Sequence, residues 1–164
     1  MPITPYHIGP SALLGHSSSK IIDFPTLLVA SVLPDIEPFV VLLFNLSYPS
    51  HGFFHGFLGG TVLALLTALP MYVFRYRMKD IMATLNLPHN SSFKVIFLSA
   101  LLGIYFHVIL DAFTHGSMKP FYPFESNPFL GVFSSIQVEL FCIFGFVAAI
   151  VLYLIRWVQL RRPS

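Results

Sequence analysis

The sequence predicts an all-α fold, an integral membrane helical bundle of four transmembrane helices with a short N-terminal re-entrant or half-helix. Three observations predict it. Hydrophobic residues make up 55% of the 164 residues and charged residues only 10%, against about 25% charged in an ordinary globular chain. Four segments are apolar over the roughly 20 residues that a bilayer crossing needs. The few ionisable side chains inside those segments recur at helical spacing. The same composition excludes other classes. With 9 basic and 7 acidic residues the net charge is +2, too small for a nucleic-acid footprint. The single cysteine, Cys142, excludes an internal disulfide framework and a multi-cysteine zinc knuckle.

Taken in order, the first element is Met1–Ser19, apolar but too short to cross comfortably. It lacks the basic start of a signal peptide, since the first lysine is Lys20, and is expected to stay in the mature protein as the half-helix. The spans follow at about Asp23–Leu46, Phe53–Phe74, Phe93–Phe113 and Ile136–Trp157. No repeat or linker divides the chain, so residues 1–164 form a single membrane domain. Basic residues set the orientation. Lys20, Arg75, Arg77, Lys79, Lys94, Arg156, Arg161 and Arg162 all fall on one face of a four-span chain, leaving Lys119 opposite. That face is expected to be cytoplasmic, which makes this a multi-pass protein of the inner (plasma) membrane with its C-terminus in the cytoplasm. His89, in the loop between the second and third spans, is expected to be solvated, and the Asn90-Ser91-Ser92 sequon to be irrelevant.

An ionisable side chain within a span costs about 2.5–3.5 kcal/mol on insertion scales, so each one is a functional hypothesis. His107, Asp111 and His115 follow one another at i, i+4 and i+8 and line one face of the third span. His51 and His55 are a second i, i+4 pair, at the entrance to the second. Such spacing presents nitrogen and oxygen ligands to one metal without bending a helix. The third cluster is Pro34-Asp35-Ile36-Glu37-Pro38. Pro38 disfavours the α region at Glu37, and a locally extended backbone would turn Asp35 and Glu37 to the same side. An interrupted helix is tolerated at membrane depth only where it lines a cavity or is buried in protein.

Depth brings the groups together. Counted at 1.5 Å per residue from the cytoplasmic edge, Asp35 lies about 18 Å from Asp23. His107, Asp111 and His115 lie about 20, 26 and 31 Å from Lys94. His7 reaches the depth of Asp35 only if the N-terminal helix runs inward. A metal site is therefore expected in the outer half of the bundle, with His7, Asp35, His51, His55, His107, Asp111, His115 and Glu139 as candidate ligands. Blander roles are open for each: a polar seam between helices, interfacial anchors at His51 and His55, a proton relay at Asp35 and Glu37, and a headgroup contact at Glu139. His16 and Cys142 read as packing residues. Gly52, Gly56, Gly59 and Gly60 read as sites of close helix approach. The aromatic loop Gly116–Ser135 reads as an interfacial belt or as a lid that admits a lipid headgroup.

Four motifs in this order, Pro5-Tyr6-His7-Ile8-Gly9-Pro10, Pro34-Asp35-Ile36-Glu37-Pro38, His51-Gly52-Phe53-Phe54-His55 and His107-Val108-Ile109-Leu110-Asp111, resemble those of prokaryotic membrane-bound metal-dependent hydrolases. That family is distantly similar to zinc-dependent phospholipase C and the related single-strand nucleases. The resemblance runs over about residues 5 to 125. It implies that His7, Asp35, His55, His107 and Asp111 bind metal. The chain departs from the family in having His51-Gly52 where many relatives have Arg-Gly, and Glu37 where the second acid is commonly Asp. Thr114-His115 extends the third-span motif.

The ligand set suits a divalent metal, zinc first. It exceeds the four ligands of one tetrahedral zinc, which implies two or more ions or one ion with a full surrounding shell. In the expected hydrolase, Asp111 is the candidate bridging ligand, and Asp35 or Glu37 orients or deprotonates the attacking water. The expected substrate is a membrane lipid or lipid-linked ester, with a phosphoester the leading choice. No nucleic-acid partner is expected, and the oligomeric state stays open. Two rivals use the same residues: an ion or metal transporter (or proton relay), and a non-catalytic membrane scaffold.

Overall fold

In a bilayer every backbone polar group must find its partner within the protein, and this chain satisfies them with helices. The computed structural model describes residues 4–17, 21–87, 89–90 and 92–161. Lys20 and Arg162, two of the basic residues that set the expected orientation, lie outside the described residues, as do positions 1–3 and 18–19 of the N-terminal segment. A 3-10 turn, Thr4–His7, leads into α1 (Ile8–Ser17). Then come α2 (Phe24–Ala30), a 3-10 turn at Leu33–Asp35, and α3 (Ile36–Leu43). A further 3-10 turn, Phe53–His55, precedes α4 (Phe57–Val73) and α5 (Arg75–Thr84). The long helices α6 (Phe93–Ala112) and α7 (Ser135–Arg161) complete the bundle. No strand occurs among the described residues.

The first expected span, Phe24–Leu43, is one apolar stretch built from two helices. Asp23 caps α2 by accepting from the Thr26 amide, with Pro25 in the first turn, where its missing N–H breaks no helical bond. The interruption does fall at Pro34–Pro38, but its geometry corrects the sequence reading. Asp35 and Ile36 have helical φ/ψ values of −65°/−10° and −62°/−34°, and Glu37 lies inside α3, so the segment is not extended. Pro38 is the third residue of α3, where the amide has no intrahelical partner to lose. Asp35 and Glu37 therefore turn to different neighbours.

Phe93–Ala112 and Ser135–Leu160 are also long and apolar enough to cross a membrane. The second expected span is α4, whose 17 residues give about 25 Å. It ends at Phe74, where α5 turns away by 76°. Arg75, Arg77 and Lys79, expected to flank the loop between the second and third spans, lie in a helix of their own, because the charged sequence stops the span without stopping the helical hydrogen bonding.

Helix α6 is the central post, with α2 and α4 packed on it and α1 held between α2 and α7. The α4–α6 seam is made of small and β-branched side chains, among them Ala64, Ala68, Ala100, Ile104 and Val108, which let backbones come close. Two glycines decide where α1 sits. A Cβ on Gly9 would stand 2.4 Å from the Cys142 carbonyl oxygen, and one on Gly145 would stand 2.7 Å from the Pro10 nitrogen. Two further contacts mark one end of the bundle. Tyr153 Oη donates to the Leu85 carbonyl at 3.2 Å, and Asp23 bonds the loop before α6. The segments 44–55 and 113–134 close the other end.

Candidate metal centre

Each ligand is placed by a local feature of the chain. The turn Thr4–His7 leads into α1 and ends on the buried His7, and the 3-10 turn Leu33–Asp35 leads into α3 and ends on Asp35. The turn Phe53–His55 carries His55, and α6 presents His107 and Asp111 one turn apart. Asp35, His55, His107 and Asp111 bring four ligand atoms within 4.8 Å of one another. His51, Asp111 and His115 form a second such group, so Asp111 belongs to both. His107 Nε2 lies 3.3 Å from Asp111 Oδ2 and 3.7 Å from Asp35 Oδ1. His7 Nε2 lies 3.3 Å from Asp111 Oδ1, and its Nδ1 lies 4.0 Å from Asp35 Oδ2. His115 Nδ1 lies 3.8 Å from Asp111 Oδ1, and His51 Nε2 lies 4.0 Å from Asp111 Oδ2.

The site is buried and under-bonded. His7, His55 and His107 are buried, as is Asp111; among the cluster the openings are at Asp35, whose side chain is 17% exposed, and His115 at 13%. Both ring nitrogens of His7, Nε2 of His55 and of His107, Oδ2 of Asp35 and Oδ1 of Asp111 are buried without a hydrogen-bond partner. Buried polar atoms are nearly always paired. Asp35, His55, His107 and Asp111 each contribute one such atom and form one ligand group, which matches a cation in their midst, whereas His7 is in neither ligand group among the described residues. No Lys or Arg among the described residues pairs with the carboxylates; the ion pair of Lys119 is with Glu125, at 2.7 Å. Imidazoles and carboxylates without a basic neighbour are a cation-binding set, so the residues fit a divalent metal.

Neighbouring groups set the tautomers. Ser31 O accepts from His107 Nδ1 at 2.8 Å, which leaves Nε2 with its lone pair toward the carboxylates. Helix α2 can come this near because Gly103, one turn before His107, has no Cβ; one there would stand 2.7 Å from the Leu27 carbonyl oxygen. Glu37 does for His55 what Ser31 does for His107. Its Oε2 accepts from His55 Nδ1 at 2.8 Å and from the Gly52 amide at 3.1 Å, and its Oε1 from the Phe54 amide at 3.4 Å. With three donors already bound, Glu37 positions His55, where the sequence placed it beside Asp35 as a group acting on water. His51, in the segment before α4, has its pKa lowered to about 4, first by burial and then by the neighbouring His55 and His115. It is therefore neutral near pH 7, with a lone pair to donate.

Other sequence expectations fare differently. Glu139 is on α7 and is in neither ligand group among the described residues. His16 packs its ring against Phe24 and Tyr153, and Cys142 is buried beside Leu110 and Val138. His89 is not solvated: its side chain is 4% exposed and its Nδ1 lies 2.6 Å from Asp23 Oδ1. Asp23 also accepts from the Asn90 amide and from the Thr26 amide and hydroxyl, while its own amide donates to Ser99 Oγ at 2.8 Å. The aromatic loop caps α4 through the Phe57 amide, which donates to Pro120 O at 2.8 Å, and Phe121, Tyr122, Phe124 and Phe133 remain exposed.

The described spans and buried polar centre are those of a membrane protein, and comparison with known proteins agrees. The model of a family described as YdjM inner membrane protein matches residues 6–163. No curated protein matches, and no solved structure matches. The chain, nearly all of which the match covers, belongs to the YdjM inner membrane protein family.

Proposed function

We propose that this protein is a membrane-embedded metal-dependent hydrolase of a lipid or lipid-linked ester, with a phosphoester the leading choice. The observation that carries the reading is the convergence of Asp35, His55, His107 and Asp111 within 4.8 Å, with unpaired atoms on all four. A divalent cation held there, zinc first, supplies activation of water near neutral pH and neutralises developing negative charge. His55, His107, Asp35 and Asp111 would hold it; His51 and His115 offer a second position across Asp111, the shared carboxylate. Asp35, more exposed than Asp111 and Glu37, takes a proton from the attacking water and returns it to the oxygen that leaves. Glu37 and Ser31 keep the imidazoles oriented, and the apolar walls keep other water out.

The proposal includes the orientation, with the basic end in the cytoplasm. Arg75, Arg77 and Lys79 on α5, Lys94 at the start of α6 and Arg156 near the end of α7 gather at the end that Tyr153 and Leu85 join, in keeping with the excess of basic residues on cytoplasmic loops. The distant kinship to zinc-dependent phospholipase C belongs to the proposal too, and it rests on the sequence motifs alone.

Metal content per chain, measured by elemental mass spectrometry on detergent-purified protein, tests the reading. At least one equivalent of a divalent metal is expected in the wild type and less than about a tenth of that in Asp111→Ala. No metal in either protein, even after reloading with zinc or manganese, would overturn it.

A further inference from the structure

Helix α3 has no buried residue. It is the half of the first span that follows the break at Pro34, and it stands off the bundle, with Phe39 and Leu42 exposed at 64% and 77%. The gap it leaves against α4 is a cleft of about 390 Å³, walled by Leu33, Val40, Val41, Leu46, Tyr48 and Leu63. Its one charged lining residue is Glu37, whose carboxylate holds His55. Pro34 and Ile36, which flank Asp35, and Phe54, which precedes His55, complete the wall. The cleft thus begins among bilayer-facing apolar side chains and ends against the residues that position the ligands.

We propose that this cleft holds one hydrocarbon chain of a membrane lipid and so brings the lipid's ester to the cluster sideways from the bilayer. A second cleft shows what singles this one out. Between α6 and α7 a gap of about 410 Å³ is lined by Phe106, Ile109, Phe113, Phe133 and Phe141 among others. It is as large and as apolar, and Phe106 and Leu110 precede His107 and Asp111, yet no lining side chain there is charged or hydrogen-bonded to a residue of the cluster, as Glu37 is to His55. Within a span, the solvent that meets an unpacked apolar face is acyl chain, and a lipid is the one occupant that offers a hydrocarbon chain to the cleft and a polar ester to its far end. The inference deepens the hydrolase reading and rests on it only in treating the bound lipid as substrate.

Photolabelling of the full chain in nanodiscs tests it, with a phosphatidylethanolamine that carries a diazirine near the end of one acyl chain. Adducts mapped by peptide mass spectrometry are expected at Val40, Val41, Leu46 or Leu63 at least threefold above those at Ile109, Phe141 and the lipid-facing Leu154. Leu63→Trp, and independently Val40→Trp, should lower the α3–α4 adducts at least threefold in protein that still elutes as a single monodisperse species. Equal labelling of both clefts and of Leu154, or labelling unchanged in the monodisperse Trp variants, would overturn the proposal. Labelling needs neither metal nor turnover, so a metal-free protein that labels as expected would sink the hydrolase reading alone.

Discussion

A neutral imidazole binds a cation through the nitrogen that carries no proton, and whatever accepts from the other nitrogen decides which one that is. His107 is set by a backbone carbonyl and His55 by the Glu37 carboxylate, both at 2.8 Å. Glu37→Gln removes the charge while its one carbonyl oxygen can still accept from His55 and the Gly52 amide, at the cost of the acceptor for the Phe54 amide. Zinc affinity, measured by competition with a chromogenic chelator, is expected to fall about 10- to 100-fold with little change in thermal midpoint; unchanged affinity would remove Glu37 from the site. At this scale the sequence was informative where ligands are i, i+4 partners. His107–Asp111 and His51–His55 can be read from spacing because a helix or a tight turn fixes their relation. The bonds of Glu37 to His55 and to two amides were not legible, because residue spacing shows which groups are neighbours and not how many donors each already serves. Ser31 was invisible, since it acts through its carbonyl, which every residue has.

Elements carry the ligands to one place by way of contacts that hold no ligand. Helix α1 delivers His7 because Gly9 and Gly145 let it lie on α7 almost backbone to backbone. Gly9→Ala would force a Cβ against the Cys142 carbonyl and the Phe146 amide, neither of which can yield as a side-chain end would. Overpacking of this kind costs about 1–3 kcal/mol. A lower thermal midpoint is expected, with reduced metal retention on dialysis, while Gly116→Ala, where the nearest atom is 3.7 Å away, should match the wild type in both. An unaltered Gly9→Ala variant would mean that α1 is not fixed by this contact. The element scale also holds the clearest failure of sequence reasoning. Asp23, His89 and Ser99 lie up to 76 positions apart, and no periodicity links a helix cap to a loop and to the middle of another helix. A cue did exist in Asp23, an acid directly before the Phe24-Pro25 start of a helix, which is the N-cap signature.

For the whole molecule, the apolar runs made the helical membrane class and the positions of the spans legible, because the bilayer imposes length and composition on any chain that crosses it. The 76° turn at Phe74 was not, since charged α5 is a helix that no hydropathy window marks. The proposed orientation has its own check. With Cys142 buried, single cysteines at Glu125 and at Asp80 can be labelled with a membrane-impermeant maleimide in intact spheroplasts. Glu125→Cys is expected to react before lysis and Asp80→Cys only after it; the reverse order would invert the topology.

The clamp between α1 and α7 has a consequence in time. His7 and the candidate ligands enter the growing chain from residue 7 to residue 115, yet the helix that pins His7 beside them begins at Ser135 and contributes no member of either ligand group. A nascent chain released from the ribosome as far as Asp111 owns nearly every donor atom of the centre and still has no wall behind the first. In the proposed metal centre, His7 would therefore stand beside the ligands only once the last helix has inserted, so that completing the site would be the closing step of assembly.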